Sequence, residues 1–379
     1  LLEPLSQALL GAATGGLVAG RTLGRRALGS GALAGMAPDL DILLGPLESG
    51  YGEWLDHRGT THALGFGFVA GPALGWLFWR WRDPGLQTPI GAWIALCVVA
   101  LVTHPLLDGF TPYGTQFFAP FSRVRFAWNG VAIVDPIYTT LLGAGVGLAA
   151  WRFADVARAR RALAGGLALS TAYLFVGLLT NAWVVDQLER RFEAEGFEVR
   201  RVRAYPTIFQ PWLRHFVVHT PERRLVGFHS LLRASCPTWK AHAMPSMNPR
   251  IADVLSSFEG RLLTWFSDGD FGLVESRTPS GTLIRVDDLR YAWSSSDGRG
   301  MWGIEARYDR DGNRRGAITR FAARDPADRD VTRLWRAILG ELPAADARTG
   351  WHGPSACEGD ALELAHRNDS ARSNVPPGT

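Results

Sequence analysis

The chain has 379 residues, 47% of them hydrophobic, and a formal net charge of only +4. That length accommodates two domains, and a modest charge carried by arginines clustered between apolar stretches argues against a nucleic-acid footprint. Cys97, Cys236 and Cys357 are far apart and odd in number, which argues against a disulfide framework or a cysteine zinc cluster.

In chain order, residues 4–20 come first, apolar and rich in Gly and Ala. A removable signal peptide is the rival reading. However, no basic region precedes this run, and Arg21, Arg25 and Arg26 follow it, so a retained helix is expected. A second apolar run covers 27–43. The two are expected to be short spans or re-entrant helices, packed closely through Gly11, Gly15, Gly16, Gly29, Gly31 and Gly35, because small residues let helices approach. Of Asp, Glu, Lys, Arg and His, residues 60–79 contain only His62, 131–151 only Asp135, and 84–103 and 162–185 none. Each approaches the ~20 residues that cross ~30 Å of hydrocarbon. One such run could be a buried core helix; four in succession point to a membrane domain.

If 4–20, 27–43, 61–79, 89–107, 131–151 and 162–185 all cross, then Arg21, Arg25, Arg26, Arg80, Arg82, Arg152, Arg158, Arg160 and Arg161 share one face. The opposite connections carry only Arg58, Arg123 and Arg125. The basic face is expected to be cytoplasmic, and everything after Val185 then lies on the other side. There Leu213–Thr220, Leu225–Leu232, Thr282–Val286 and Trp302–Tyr308 read as short strands between turn residues. Asp311-Gly312-Asn313 reads as a hairpin turn. The expected architecture is a mainly α-helical polytopic membrane domain over 1–185, then a smaller β-rich or α+β soluble domain over 186–340. A polar, disordered tail is expected over 341–379.

Six potential metal ligands fall at the segment ends opposite the basic loops. They are Asp39 and Asp41, His57 and His62, and His104 and Asp108. Ionisable groups at span ends are costly to desolvate, so they line a cavity or hold an ion. Imidazole with carboxylate suits zinc or manganese, as one ion or two. His104 and Asp108, four apart on a helix, share a face, with a capping pair as the bland alternative; Pro105 would bend or open the helix there. Asp39 and Asp41 converge only if the stretch after Pro38 is extended. On an α-helix they diverge by roughly 200°, and Asp39 could simply be a cap. Gly59 allows a turn through which His57 and His62 approach one ion. Arg58 suits bidentate contact with an anionic oxygen, or an interfacial anchor. Thr111, Tyr113 and Thr115 are candidate substrate contacts in a loop anchored by Phe117, Phe118 and Phe121. Asp135, before Pro136, is a candidate metal ligand or catalytic base, or a helix cap.

The motifs Leu5-Ser6-Gln7-Ala8-Leu9-Leu10-Gly11-Ala12, Pro38-Asp39-Leu40-Asp41, His57-Arg58-Gly59 with His62, Thr103-His104-Pro105-Leu106-Leu107-Asp108, Tyr113-Gly114-Thr115 and Asp135-Pro136 occur in that order. Together they resemble the bacterial membrane-bound metal-dependent hydrolase family, also described as LexA-regulated and inner-membrane-associated. The resemblance covers residues 4–180, and Ala204–Thr207 with Gly227-Phe228 more loosely. The chain departs from it at Leu1-Leu2-Glu3, where relatives have Met-Asp, and at His62-Ala63, where relatives have His-Ser.

The resulting expectation is a metal-dependent hydrolase of the inner membrane, its site at the outer membrane–water boundary. Asp39, Asp41, His57, His62, His104 and Asp108 would be ligands, and Arg58 would stabilise developing negative charge. Membrane lipids surround such a site, and a phosphoester of a lipid or other amphiphile is the expected substrate class. The rivals are a non-catalytic, metal-stabilised scaffold whose 186–340 domain binds a partner, and a transporter. Against the transporter, the charged groups gather at one face without a series through the bilayer.

Overall fold

The computed structural model describes residues 2–47, 51–85, 87–232, 237–292, 299–322, 331–339 and 350–353. Helices α1 (Leu2–Leu23) and α2 (Arg26–Met36) form a tight hairpin, turned at Gly24, whose φ is +61°. Their backbones touch. A Cβ on Gly11 would collide with the Gly31 carbonyl, and one on Gly35 would collide with the Gln7 carbonyl. The apolar run expected over 27–43 is broken by Pro38, which lacks an N–H and restricts the residue before it. A 3₁₀ segment, Pro38–Leu47, follows α2. The 22 residues of α1 extend ~33 Å, whereas the 11 of α2 extend ~16 Å, half the hydrocarbon thickness.

The short helix α3 (Gly52–Leu55) and a 3₁₀ turn at Thr60–His62 lead into α4 (Leu64–Arg82), α5 (Ile90–Gly109), α6 (Pro136–Arg152) and the 39-residue α7 (Val156–Ala194). Among the described residues, α5 and α7 combine the length and hydropathy of a membrane span. Arg26 at the start of α2 lies 3.7 Å from Asp83 just past α4, and Arg160 of α7 donates to the Leu17 carbonyl of α1. The basic connections therefore gather at one end of the helical region. Outward-facing positions are apolar: Phe68, Val69, Trp76 and Leu77 on α4, and Leu169, Phe175, Val176 and Leu179 on α7 are all exposed.

The C-terminal half contains two antiparallel meanders. The first is β1 (Arg201–Pro206), β2 (Leu213–His219), β3 (Arg223–Ser230) and β4 (Thr238–Ala243); the second is β5 (Phe271–Thr278), β6 (Gly281–Asp288), β7 (Trp302–Tyr308) and β8 (Thr319–Ala322). Helix α7 runs past the expected boundary at 185 because Val184, Leu188 and Phe192 pack on Val202, Phe216 and Leu225 of the first sheet. Helices α8 (Pro249–Ser256) and α9 (Phe258–Phe266) cover the second sheet. Helix α10 (Val331–Ile338) packs beside Leu213, Phe228 and Trp351. In the expected hairpin turn, Gly312 has φ +89°, and Asp309 N–H donates to the Asn313 carbonyl at 2.9 Å.

The expected tail lies outside the described residues except at 350–353, where His352 bridges to Trp239. Cys236 and Cys357 also lie outside them; Cys97 is buried within α5. The two halves are joined by a packed side chain. Trp54, 3% exposed, belongs to the core of the second sheet with Leu263, Phe266 and Ile304, and its ring stacks on Phe266 at 5.4 Å.

Candidate metal centre

Four donor atoms from three separate stretches of chain meet near the ends of α2 and α5. Asp39 Oδ1 lies 3.4 Å from both His62 Nε2 and His104 Nε2. Asp108 Oδ2 lies 3.5 Å from His62 Nε2 and 3.3 Å from His104 Nε2. Ligand bonds of ~2.1 Å place tetrahedral donors ~3.4 Å apart. The donor atoms of Asp39, His62 and His104 all lie within 4.8 Å of one another, a spacing that suits one shared ion, and Asp108 faces both imidazoles beside them. The centre is buried: both imidazoles are fully enclosed and Asp108 is 2% exposed.

The tautomer of His104 decides what can sit there. Its Nδ1 lies 2.6 Å from the Gly35 carbonyl. A carbonyl only accepts, so Nδ1 carries a proton and Nε2 is the nitrogen turned toward the carboxylates. That nitrogen faces two carboxylate oxygens, and among the described residues neither His104 Nε2 nor Asp108 Oδ2 makes a close hydrogen bond. Buried carboxylates facing this nitrogen need a positive partner, which either a proton on Nε2 or a metal ion in its place supplies. A set of two imidazoles and carboxylates at this spacing could hold a divalent metal ion.

Local structure explains how the donors arrive. The i,i+4 spacing on α5 stacks His104 over Asp108. The glycine contact between α1 and α2 delivers the Gly35 carbonyl to His104 and brings Gln7 alongside. Gln7 Nε2 donates to Asp108 Oδ1 at 2.9 Å and to the His104 carbonyl at 3.3 Å. Arg58, at φ +57°, lies 3.6 Å from Asp108 Oδ1. It donates to Thr111 Oγ1 at 2.8 Å and packs 4.9 Å over the Tyr113 ring. The guanidinium is 2% exposed, so its charge acts first on Asp108.

Asp41 and His57 stand one step further out. The 3₁₀ turn after Pro38 separates Asp39 from Asp41. Asp39 faces the two Nε2 atoms, while Asp41 Oδ2 lies 3.4 Å from His62 Nδ1, the far side of that ring. Asp41 Oδ1 is 3.0 Å from His57 Nδ1, and Thr61 Oγ1 donates to Asp41 Oδ2 at 2.9 Å. Burial works against the Asp41 charge, yet hydrogen bonds from His57 and His62 hold its carboxyl well below the usual range. Burial likewise opposes protonation of His57, but the Asp41 bond and charge raise it net above its usual value. Outer partners of this kind orient a metal-binding imidazole.

Asp135 is not drawn into the cluster. Its Oδ1 caps α6 by accepting from Ile137 N and Tyr138 N at 3.0 and 3.1 Å, and Oδ2 accepts from the Tyr173 hydroxyl at 2.7 Å. Thr115 N–H donates to the Phe126 carbonyl, and Tyr113 packs its ring against His57 at 5.5 Å. Sequence reasoning assigned no role to Gln7 or the Gly35 carbonyl. Gln7 had a signal, a polar side chain within an apolar helix; a backbone carbonyl has none.

A small cavity of about 20 Å³ beside Asp108, lined also by Gln7, Thr111 and Asp135, has room for one water. It shares Leu107 and Tyr138 with an apolar cleft of about 690 Å³, walled by Leu10, Phe110, Leu174 and Phe175.

Residues 2–184 match the family described as YdjM inner membrane protein. All four donors and their outer partners lie within that match. Inner membrane protein YbcI of Escherichia coli (strain K12) is 34% identical over 113 residues, which cover 27% of this chain and 63% of that protein. The chain thus spans less than two thirds of that relative's length. No solved structure matches the chain. Both resemblances support an inner-membrane location, and neither description names a reaction.

Proposed function

We propose that this chain is a multi-pass inner-membrane hydrolase using a divalent metal, zinc or manganese, at the non-cytoplasmic membrane–water boundary. Its substrate would be a phosphoester of a lipid or another amphiphile. The observation that carries the proposal is the convergence of one donor atom each from Asp39, His62 and His104 within 4.8 Å, with Asp108 facing both imidazoles. A bound zinc or manganese ion would acidify a water and polarise the scissile bond.

The surrounding residues then have definite tasks. Asp39, His62, His104 and Asp108 hold the ion. Gln7 and Arg58 fix Asp108, and Asp41 with His57 fixes His62. The Asp39 side chain, 21% exposed, is the most open of the four, so a substrate approaches past it. The apolar cleft that shares Leu107 with the cavity beside Asp108 suits an acyl chain. Multi-pass insertion is supported by the apolar exteriors of α4 and α7. It is also supported by arginine–tryptophan pairs at the basic end, Arg82 over Trp81 and Arg152 over Trp151, since interfacial aromatics anchor spans.

The enclosure of both imidazoles favours a second reading, a structural metal holding α2, α5 and the His57–His62 turn together, because structural sites are closed. Elemental analysis of the detergent-purified chain, paired with a lipid phosphoester hydrolysis screen, separates the two. His104→Ala is expected to lose metal and hydrolysis together while still inserting. Arg58→Ala is expected to retain metal with turnover lowered about tenfold or more. Full hydrolysis by His104→Ala would overturn the enzyme reading. Stoichiometric metal in the wild type without hydrolysis across the screen would establish the scaffold.

A further inference from the structure

The loop 110–128 and the C-terminal half enclose a second cavity of about 650 Å³ on the far side of Tyr113 from the metal centre. Its arginines are unequally neutralised. Arg290 is bonded twice by Asp288, at 3.0 and 2.7 Å, and Arg203 pairs with Asp268 and Asp270. Asp268 also lines the cavity and is shared with Arg201. Arg125 has no ion pair among the described residues. Its donors reach only backbone carbonyls, those of Tyr113, Gly114 and Phe266. Its guanidinium packs against the rings of Tyr113, Trp265 and Phe266 at 5.2, 5.0 and 4.5 Å. Burial, then the charge of Arg290, pushes this guanidinium down to about 9. Arg123, exposed at the same cavity, likewise has no ion pair among the described residues.

A half-buried guanidinium without a counter-ion favours an anion, and its planar fork suits phosphate. The mouth of the cavity indicates where that phosphate comes from. Beside Arg123 the loop exposes Phe118, Phe121 and Val124, with Phe121 95% exposed, and Trp128 and Trp265 line the opening. Apolar and aromatic side chains around a basic opening belong at headgroup depth. We propose that this cavity binds the phosphate of an anionic lipid headgroup through Arg125 and Arg123. The inference rests on the membrane reading and is independent of hydrolysis. Tyr113, which contacts His57 on one side and Arg125 on the other, separates the bound headgroup from the metal centre by one ring.

Calorimetric titration of the detergent-purified full chain tests this, using short-chain phosphatidate, short-chain phosphatidylcholine and inorganic phosphate as probes. Phosphatidate is expected to bind the wild type more tightly than either of the others. Arg125→Gln should weaken phosphatidate binding about tenfold or more, and Arg123→Gln should weaken it by a smaller factor. Arg125→Lys should fall between, since the charge remains without the fork. Bound metal should be unchanged in all three variants. Arg123 is exposed, so Arg123→Gln decides the matter even where Arg125→Gln fails to fold. Wild-type affinity for phosphatidate in Arg123→Gln and in any folded Arg125→Gln would overturn the proposal. So would inorganic phosphate binding as tightly as the lipid, which would assign the cavity to a soluble anion.

Discussion

Asp270 illustrates how single residues in this chain hold a charge away from water. It is fully buried, with His219 Nε2 2.6 Å from Oδ1 and the Tyr205 hydroxyl bonded to Oδ2. Burial alone would raise its pKa, but those bonds and the charges of His219 and Arg201 lower it below the usual carboxylate value. A carboxyl depressed on folding contributes stability above its unfolded pKa of ~3.9 and loses it as pH falls through the folded value. The thermal midpoint of the C-terminal half is therefore expected to drop below about pH 4. Asp270→Asn should lower it at neutral pH, by about 3 kcal/mol of stability, and flatten the acid limb. Melting curves from pH 3 to 7 check this; an acid limb unaltered in the variant would assign the dependence to other carboxyls. At the candidate metal centre the same carboxylate–imidazole pairing recurs: His104 Nδ1 is committed to the Gly35 carbonyl, which turns Nε2 toward Asp39 and Asp108.

The hairpin of α1 and α2 shows how an element without a ligand can govern the site. Gly11, Gly31 and Gly35 set the helix separation, and that separation places the Gly35 carbonyl on His104 and Gln7 on Asp108. Gly35→Ala is expected to force the helices apart at a cost of about 1–3 kcal/mol and to lower bound metal, although no donor side chain changes. Metal content at wild-type level in a folded Gly35→Ala protein would show that the carbonyl contact is dispensable. The glycine packing was legible from spacing alone, as was the shared face of His104 and Asp108. The break at Pro38 was less so. The apolar pattern continued through 43, and only the 3₁₀ geometry separated Asp39, which faces the ion site, from Asp41, which supports His62. The two oxygens of Asp135 were equally ambiguous in sequence, and the α6 N–H groups and Tyr173 occupy them.

Across the whole molecule, the C-terminal half grips the loops that carry the site. Trp54 enters the second sheet's core three residues before His57, Trp265 Nε1 donates to the Arg123 carbonyl at 3.0 Å, and Arg290 donates to the Pro112 carbonyl at 3.2 Å. Trp54→Ala is expected to cost about 3–5 kcal/mol in that core and to weaken metal binding through the 51–62 segment. A variant destabilised in this way but with unchanged metal affinity would uncouple the two halves. The arginine distribution further leads us to expect the 158–161 loop in the cytoplasm and the sheets outside it. Cysteine substitutions at Arg160 and at exposed Arg307, labelled in intact cells with a membrane-impermeant reagent, should react only at 307; labelling at 160 would invert the orientation.

The helical half, the strands at 213–219 and 302–308, and the residue types of an ion site were determined by the sequence itself. Apolar runs, strand alternation and helical spacing are local properties of a chain. Three decisions belonged to the tertiary structure. Asp39, His62 and His104 converged on one point with Asp108 beside them, while Asp41 and His57 stood one step out; Asp135 became a cap; and Arg125 was left without a counter-ion among the described residues. Each depends on which backbone carbonyl, ring or carboxylate arrives from a distant segment. Such partners are set by helix separation and domain packing, which leave little trace in the order of residues along one strand of chain.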